Sequence, residues 1–66
     1  MRISLNGEAA EVEPGTTVEQ FITARAGSTR GSAVVVDGEV VPRSSWPQHL
    51  LAEGADVELI TAVQGG

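Results

Sequence analysis

The sequence predicts an α+β domain in which one helix lies across one face of a sheet of about four to five strands. Three observations carry that expectation. Asn6-Gly7 and Asp37-Gly38 are tight-turn dipeptides, each with alternating or β-branched residues on both sides, so each marks a hairpin. Only one stretch, behind Thr16-Thr17-Val18-Glu19, has the 3.6-residue apolar period of a helix. Finally, nine of the 66 residues are valine while Phe21 and Trp46 are the only aromatics, a bias that favours strands.

Element by element, Ile3 and Leu5 alternate with Arg2, Ser4 and Asn6, and Ala10 and Val12 alternate with Glu11 and Glu13. They form the arms of the first hairpin. Pro14-Gly15 closes the second arm, and Thr16 with Glu19 matches a capping box in which the threonine hydroxyl takes the Glu19 N–H and the carboxylate reaches back. Val18, Phe21, Ile22 and Ala26 then make one apolar stripe, and Gly27 is the expected left-handed stop, so the helix spans residues 17–26. Residues 28–32 have turn composition and lead into Ala33-Val34-Val35-Val36, a central strand. Asp37-Gly38 turns the chain into Glu39-Val40-Val41, and Pro42, which cannot donate to a ladder, ends that pairing. A brief helical turn at Ser44-Ser45-Trp46-Pro47 carries Leu50 and Leu51, and residues 53–56 turn again. In the last strand, 57–63, Val57, Leu59, Thr61 and Val63 face one side, while Glu58, Ile60 and Ala62 face the other. The domain thus occupies residues 1–63, and Gln64-Gly65-Gly66 is a flexible tail with nothing to pack.

Length and charge remove several classes of function. A chain of 66 residues has room for one small domain, and without cysteine it has no disulfide or thiolate-metal cross-link to supplement its core. Nine carboxylates against four arginines give a net charge of −5, which repels a phosphate backbone, so nucleic acid is not an expected partner. No apolar run approaches the ~18 residues of a membrane span, and the start lacks the pattern of a secretory signal. No membrane association is expected, and a cytoplasmic location fits.

Catalytic chemistry is poorly supplied. With no cysteine, tyrosine or lysine, a Cys–His pair, a Schiff-base lysine and a thiolate cluster are all excluded. His49 is the lone histidine, and Ser44 or Ser45 beside it formally permits a Ser–His–Asp arrangement, but so small a domain offers little cleft to exclude water. The sequence therefore predicts no catalytic residue, no metal site and no cofactor bound by the chain. Glu8, Glu11, Glu13 and Glu19 read as a solvated face, with steering toward a basic partner as their functional alternative.

Gly65-Gly66 is unusual, since two closing glycines are expected about once in two hundred chains at ~7% average usage. Glycine contributes no burial and costs backbone entropy when ordered. One reading is a frayed end. The other is a side-chain-free arm whose Gly66 carboxylate threads a narrow channel into another protein's active site. A carboxylate becomes an acyl donor only with a good leaving group, and attack on the α-phosphate of ATP supplies one as an acyl-adenylate. In that reading the chain is substrate rather than enzyme.

These residues carry a family likeness. Asp37-Gly38-Glu39-Val40-Val41-Pro42-Arg43-Ser44-Ser45-Trp46 closely resembles the NGEVVPRSxW segment of the ThiS family, the sulfur carriers of thiamin biosynthesis, and Gly65-Gly66 matches that family's ending. Leu5-Asn6-Gly7-Glu8, Thr17-Val18 and Gly54-Ala55-Asp56-Val57-Glu58 are also similar, so the likeness runs the length of the chain. Asp37 departs from a frequent asparagine and Gln64 from a frequent small residue. The resemblance implies a β-grasp, ubiquitin-like fold and a mixed sheet. It implies that a ThiF-like, E1-like adenylyltransferase uses ATP and Mg²⁺ to adenylate Gly66, with Gly65 and Gln64 giving the tail access. A persulfide, such as that of a cysteine desulfurase, then converts Gly66 to a thiocarboxylate, whose sulfur goes to the thiazole synthase ThiG.

Partner-binding candidates are Ile60 and Ala62, which adjoin the tail, and Arg43 and Trp46, types enriched at interface hot spots. For Trp46 an architectural role, covering one end of the core, is the competing account. Three rival functions stay open: a molybdopterin synthase small subunit (MoaD-like), a ubiquitin-like modifier joined to lysines of other proteins, and a non-covalent binding module.

Overall fold

Along residues 1–26 and 31–61, which the computed structural model describes, the chain forms five strands and one α-helix. The strands are β1 (Arg2–Leu5), β2 (Glu8–Glu11), β3 (Ser32–Val36), β4 (Glu39–Val41) and β5 (Asp56–Thr61), and α1 is Val18–Ala26. They pair in the order β2-β1-β5-β3-β4. β5 runs parallel to β1 and antiparallel to β3, so the sheet is mixed, with β5 at its centre. Both hairpins have two-residue loops with positive φ at each position, 51° and 85° at Asn6-Gly7 and again at Asp37-Gly38. That is the type I′ pattern, whose twist suits the flanking strands.

One face of the sheet carries Ile3, Ala10, Val34, Val36, Val41 and Val57 against Val18, Phe21 and Ile22 of α1. The remaining core members, Trp46, Leu51 and Ala55, come from the chain between β4 and β5. Each fully buried aliphatic or aromatic side chain contributes about 1.5–3 kcal/mol relative to exposure. No polar or charged side chain is buried among the described residues, so none of that gain is offset by desolvation.

The capping box lies one residue later than the sequence pattern suggests. Thr17 Oγ1 accepts the Gln20 N–H at 3.2 Å and Gln20 Oε1 accepts the Thr17 N–H at 3.0 Å. Thr16 instead donates its hydroxyl to the Glu13 carbonyl at 2.7 Å, as part of the turn before the helix. The cause is tertiary: Thr17 bridges to Leu50, and the next donors of α1, the Val18 and Glu19 N–H groups, go to the carbonyls of His49 (2.8 Å) and Trp46 (3.2 Å). The segment after β4 therefore satisfies helix donors that have no intrahelical partner.

Smaller differences concern boundaries. Ser32 and Asp56, read as loop and turn, belong to β3 and β5, where they pair with Thr61 and Ser4. The short helical turn is a 3₁₀ turn at Arg43–Ser45 that ends on Trp46, one residue ahead of its expected start. Of the leucines it was expected to carry, Leu51 is buried and Leu50 is exposed. Gly27, the expected helix stop, and Val63, placed in the last strand, lie outside the described residues.

Candidate functional site

The pleat of β5 divides its side chains between two environments. Val57 is fully buried and Leu59 half-buried on the helix side, while Glu58 and Ile60 are exposed on the open face. Register extends that open face into an apolar strip. Ile60 pairs with Ala33, and Val35 pairs with Glu58 on one side and Val40 on the other. Val40 is 69% exposed and Ile60 55%, the level of solvent contact a partner would remove. Glu58 and Asp56 project on the same side, so the strip has an anionic border.

Of the expected docking residues, Ile60 is thus presented to solvent, and Ala62 lies outside the described residues together with Gln64, Gly65 and Gly66. For Trp46 the structure fits the architectural account and not the docking one. The residue is 1% exposed and its indole N–H donates to the Val41 carbonyl at 2.9 Å, so it fills the core and ties down the end of β4 rather than offering a surface. Arg43 is exposed, with its guanidinium 5.1 Å from the centre of the Trp46 ring, which gives that cation a fixed seat. Ala33, Val35 and Val40 were missed as surface residues. A run of valines reads as uniformly buried, and only the pairing shows that Val34, Val36 and Val41 take the core side and their neighbours the other.

Within the domain, His49 is half-buried and anchors the helix start through its backbone carbonyl; no hydrogen bond joins its ring to Ser44 or Ser45. Among the described residues no three His, Cys, Asp or Glu side chains gather as a metal-binding group, and the surface has no enclosed pocket. What the fold does supply is a central strand, clamped on both sides, running straight toward the carboxyl end of the sequence.

A family model described as ThiS family matches residues 3–66. The chain is 29% identical over 66 residues to the sulfur carrier protein ThiS of Escherichia coli (strain K12), covering 100% of both. It is 30% identical over 66 residues to a thiazole synthase of Paramagnetospirillum magneticum, matching 100% of this chain and 20% of that protein. The crystal structure of the thiamine biosynthesis protein ThiS from Geobacter metallireducens matches with a TM-score of 0.83 at 23% identity over 100% of both chains. At that identity the likeness concerns the fold, a β-grasp.

Proposed function

This chain belongs to the ThiS family, the sulfur carriers of thiazole formation in thiamin biosynthesis, and from that premise we propose that its sulfur rides on the Gly66 carboxyl group. The observation that carries the proposal is the extent of the likeness: the family match runs to Gly66, and a named sulfur carrier aligns over its whole length. As a carrier, the chain contributes a substrate group, and the reactive machinery belongs to its partners.

The chemistry follows from the carboxylate. Its oxygen attacks the α-phosphorus of ATP, the bond to pyrophosphate breaks, and Gly66 becomes an acyl-adenylate. Mg²⁺ and cationic side chains of a ThiF-like adenylating enzyme offset the phosphate charge. The terminal sulfur of a persulfide then attacks the acyl carbon and AMP leaves. A second thiol cleaves the resulting acyl disulfide, becoming a disulfide itself and releasing the thiocarboxylate. That group is ionised at neutral pH and more nucleophilic than a carboxylate, so it delivers a sulfide equivalent without releasing it. Glycine at 65 and 66 permits passage through a channel too narrow for a side chain.

The recipient is a thiazole synthase, ThiG. Support comes from the P. magneticum enzyme, in which a segment matching this chain is part of the synthase polypeptide. The strip of Ala33, Val35, Val40 and Ile60 beside Glu58 is the surface these partners cover. A matching partner has an apolar centre and basic rim. No helix among the described residues is long and apolar enough to cross a membrane. We place the protein in the cytoplasm, where ATP is available.

Reconstitution tests the proposal. The protein incubated with an E1-like adenylating enzyme, ATP, Mg²⁺ and a persulfide donor is expected to gain the mass of sulfur replacing oxygen. A copy ending at Gly65 should stay unchanged. Modification of the truncated copy would show that Gly66 is not the acceptor.

A further inference from the structure

β5 is joined to β1 by parallel rungs in which the Ser4 N–H donates to the Ala55 carbonyl at 2.9 Å and the Asn6 N–H to the Val57 carbonyl at 2.8 Å. The next rung of a parallel ladder would run from the Leu59 N–H to the backbone carbonyl of residue 6. It cannot form in that way, because Asn6, at a φ of 51°, has already turned into the hairpin loop. The Asn6 side chain takes over. Its Oδ1 accepts the Leu59 N–H at 2.9 Å, and its Nδ2 donates to the Leu59 carbonyl at 3.5 Å, the longer and weaker of the two. A side-chain amide has the same donor and acceptor as a peptide group, so it can stand in for both sides of the missing rung.

Turn geometry does not require these bonds. A positive φ at the first loop position of a type I′ turn suits glycine as well as asparagine or aspartate. Asp37 occupies the matching place in the other hairpin with the same φ, and there a carboxylate oxygen accepts the Asp56 N–H at 3.0 Å while its own N–H donates to the Asp56 carbonyl at 2.8 Å. An acceptor is enough at Asp56, whose carbonyl is already satisfied by a backbone donor. At Leu59 the side chain faces an N–H and a C=O together, and an amide is the group that matches both.

We infer that Asn6 is a positioning residue: its amide holds Leu59 where β1 no longer reaches, and so sets the line along which the chain beyond β5 leaves the sheet. Past Leu59, Ile60 and Thr61 pair with Ala33 and Ser32 of β3. Asn6 provides the restraint from the β1 side. Gly66 follows Thr61 by five residues in the sequence, so the direction in which β5 ends bears on where the carboxylate is delivered. The inference rests on the proposal that Gly66 is the reacting group. It assigns Asn6 to delivery of that carboxylate, while the open-face strip serves docking.

Pyrophosphate release by the adenylating enzyme, with carrier concentration varied at saturating ATP, separates these roles. Asn6→Gly keeps the loop conformation and removes the clamp; kcat should fall about tenfold, with KM within about twofold of the unaltered protein. Asn6→Asp keeps the acceptor for the Leu59 N–H and should recover a good part of kcat. Amide exchange at Leu59 should quicken in Asn6→Gly and much less in Asn6→Asp. An unchanged kcat in folded Asn6→Gly overturns the inference, whatever its loss of stability, because the residue would then serve the turn alone. A raised KM at constant kcat also overturns it, by making Asn6 a docking contact. If the unaltered protein releases no pyrophosphate, the proposed function itself fails and this inference falls with it; activity that is blind to position 6 defeats the inference alone.

Discussion

Trp46 shows how one side chain can be recruited for shape rather than contact. Its ring closes the core at the end of β4, and its N–H donates to the Val41 carbonyl. Trp46→Phe is therefore expected to lower unfolding free energy by about 1–3 kcal/mol, combining lost volume with the lost hydrogen bond to Val41; chemical denaturation measures it. Ile60 is the opposite case. It is 55% exposed on the open face, so Ile60→Glu should leave the unfolding midpoint nearly unchanged. The same change places a charge on the apolar strip, on the same face as Glu58, and should raise KM for adenylation about tenfold. Unaltered kinetics would remove Ile60 from the docking surface.

The entry to α1 was legible only in part. Thr16 with Glu19 and Thr17 with Gln20 both satisfy the spacing of a capping box, and nothing local separates them. The choice is made by the segment of residues 46–51, which returns across the helix start and binds the Val18 and Glu19 N–H groups. Thr17→Ala should accordingly cost about 1 kcal/mol, and Thr16→Ala only a few tenths; thermal unfolding of the two variants distinguishes them. The two hairpins were fully legible, because Asn-Gly and Asp-Gly specify a loop length and a handedness within two residues. The alternation along β5 was legible for the same local reason, since polar Glu58 sits between Val57 and Leu59. The faces of β3 and β4 were not, since Val34, Val35 and Val36 present no contrast. Long-range pairing assigns them, as it creates the Asn6 clamp: the turn residue can be read locally, but its second partner, 53 residues away, cannot.

For the whole molecule, a net charge of −5 and an apolar strip bordered by Asp56 and Glu58 describe a surface suited to a cationic partner. Adenylation at subsaturating carrier should therefore slow severalfold as ionic strength rises from about 0.01 M to 0.15 M, where the screening length drops from ~30 Å to ~8 Å. Insensitivity to salt would argue that charge takes no part in docking. The candidate site divides along the same lines. Gly65-Gly66 and the strand leading toward them stood out in the sequence, because glycine contributes nothing to a fold and its use there invites another explanation. The docking strip did not, because it exists only after β3, β4 and β5 align. The central claim is that Gly66 carries sulfur for thiazole formation. It is tested most directly by the intact mass of the protein purified from its own cells, beside a copy lacking Gly66. The account predicts that part of the full-length population carries the gain of sulfur for oxygen and that the truncated copy never does. Unmodified mass alone, persisting when an adenylating enzyme, ATP and a persulfide donor are supplied, would contradict it.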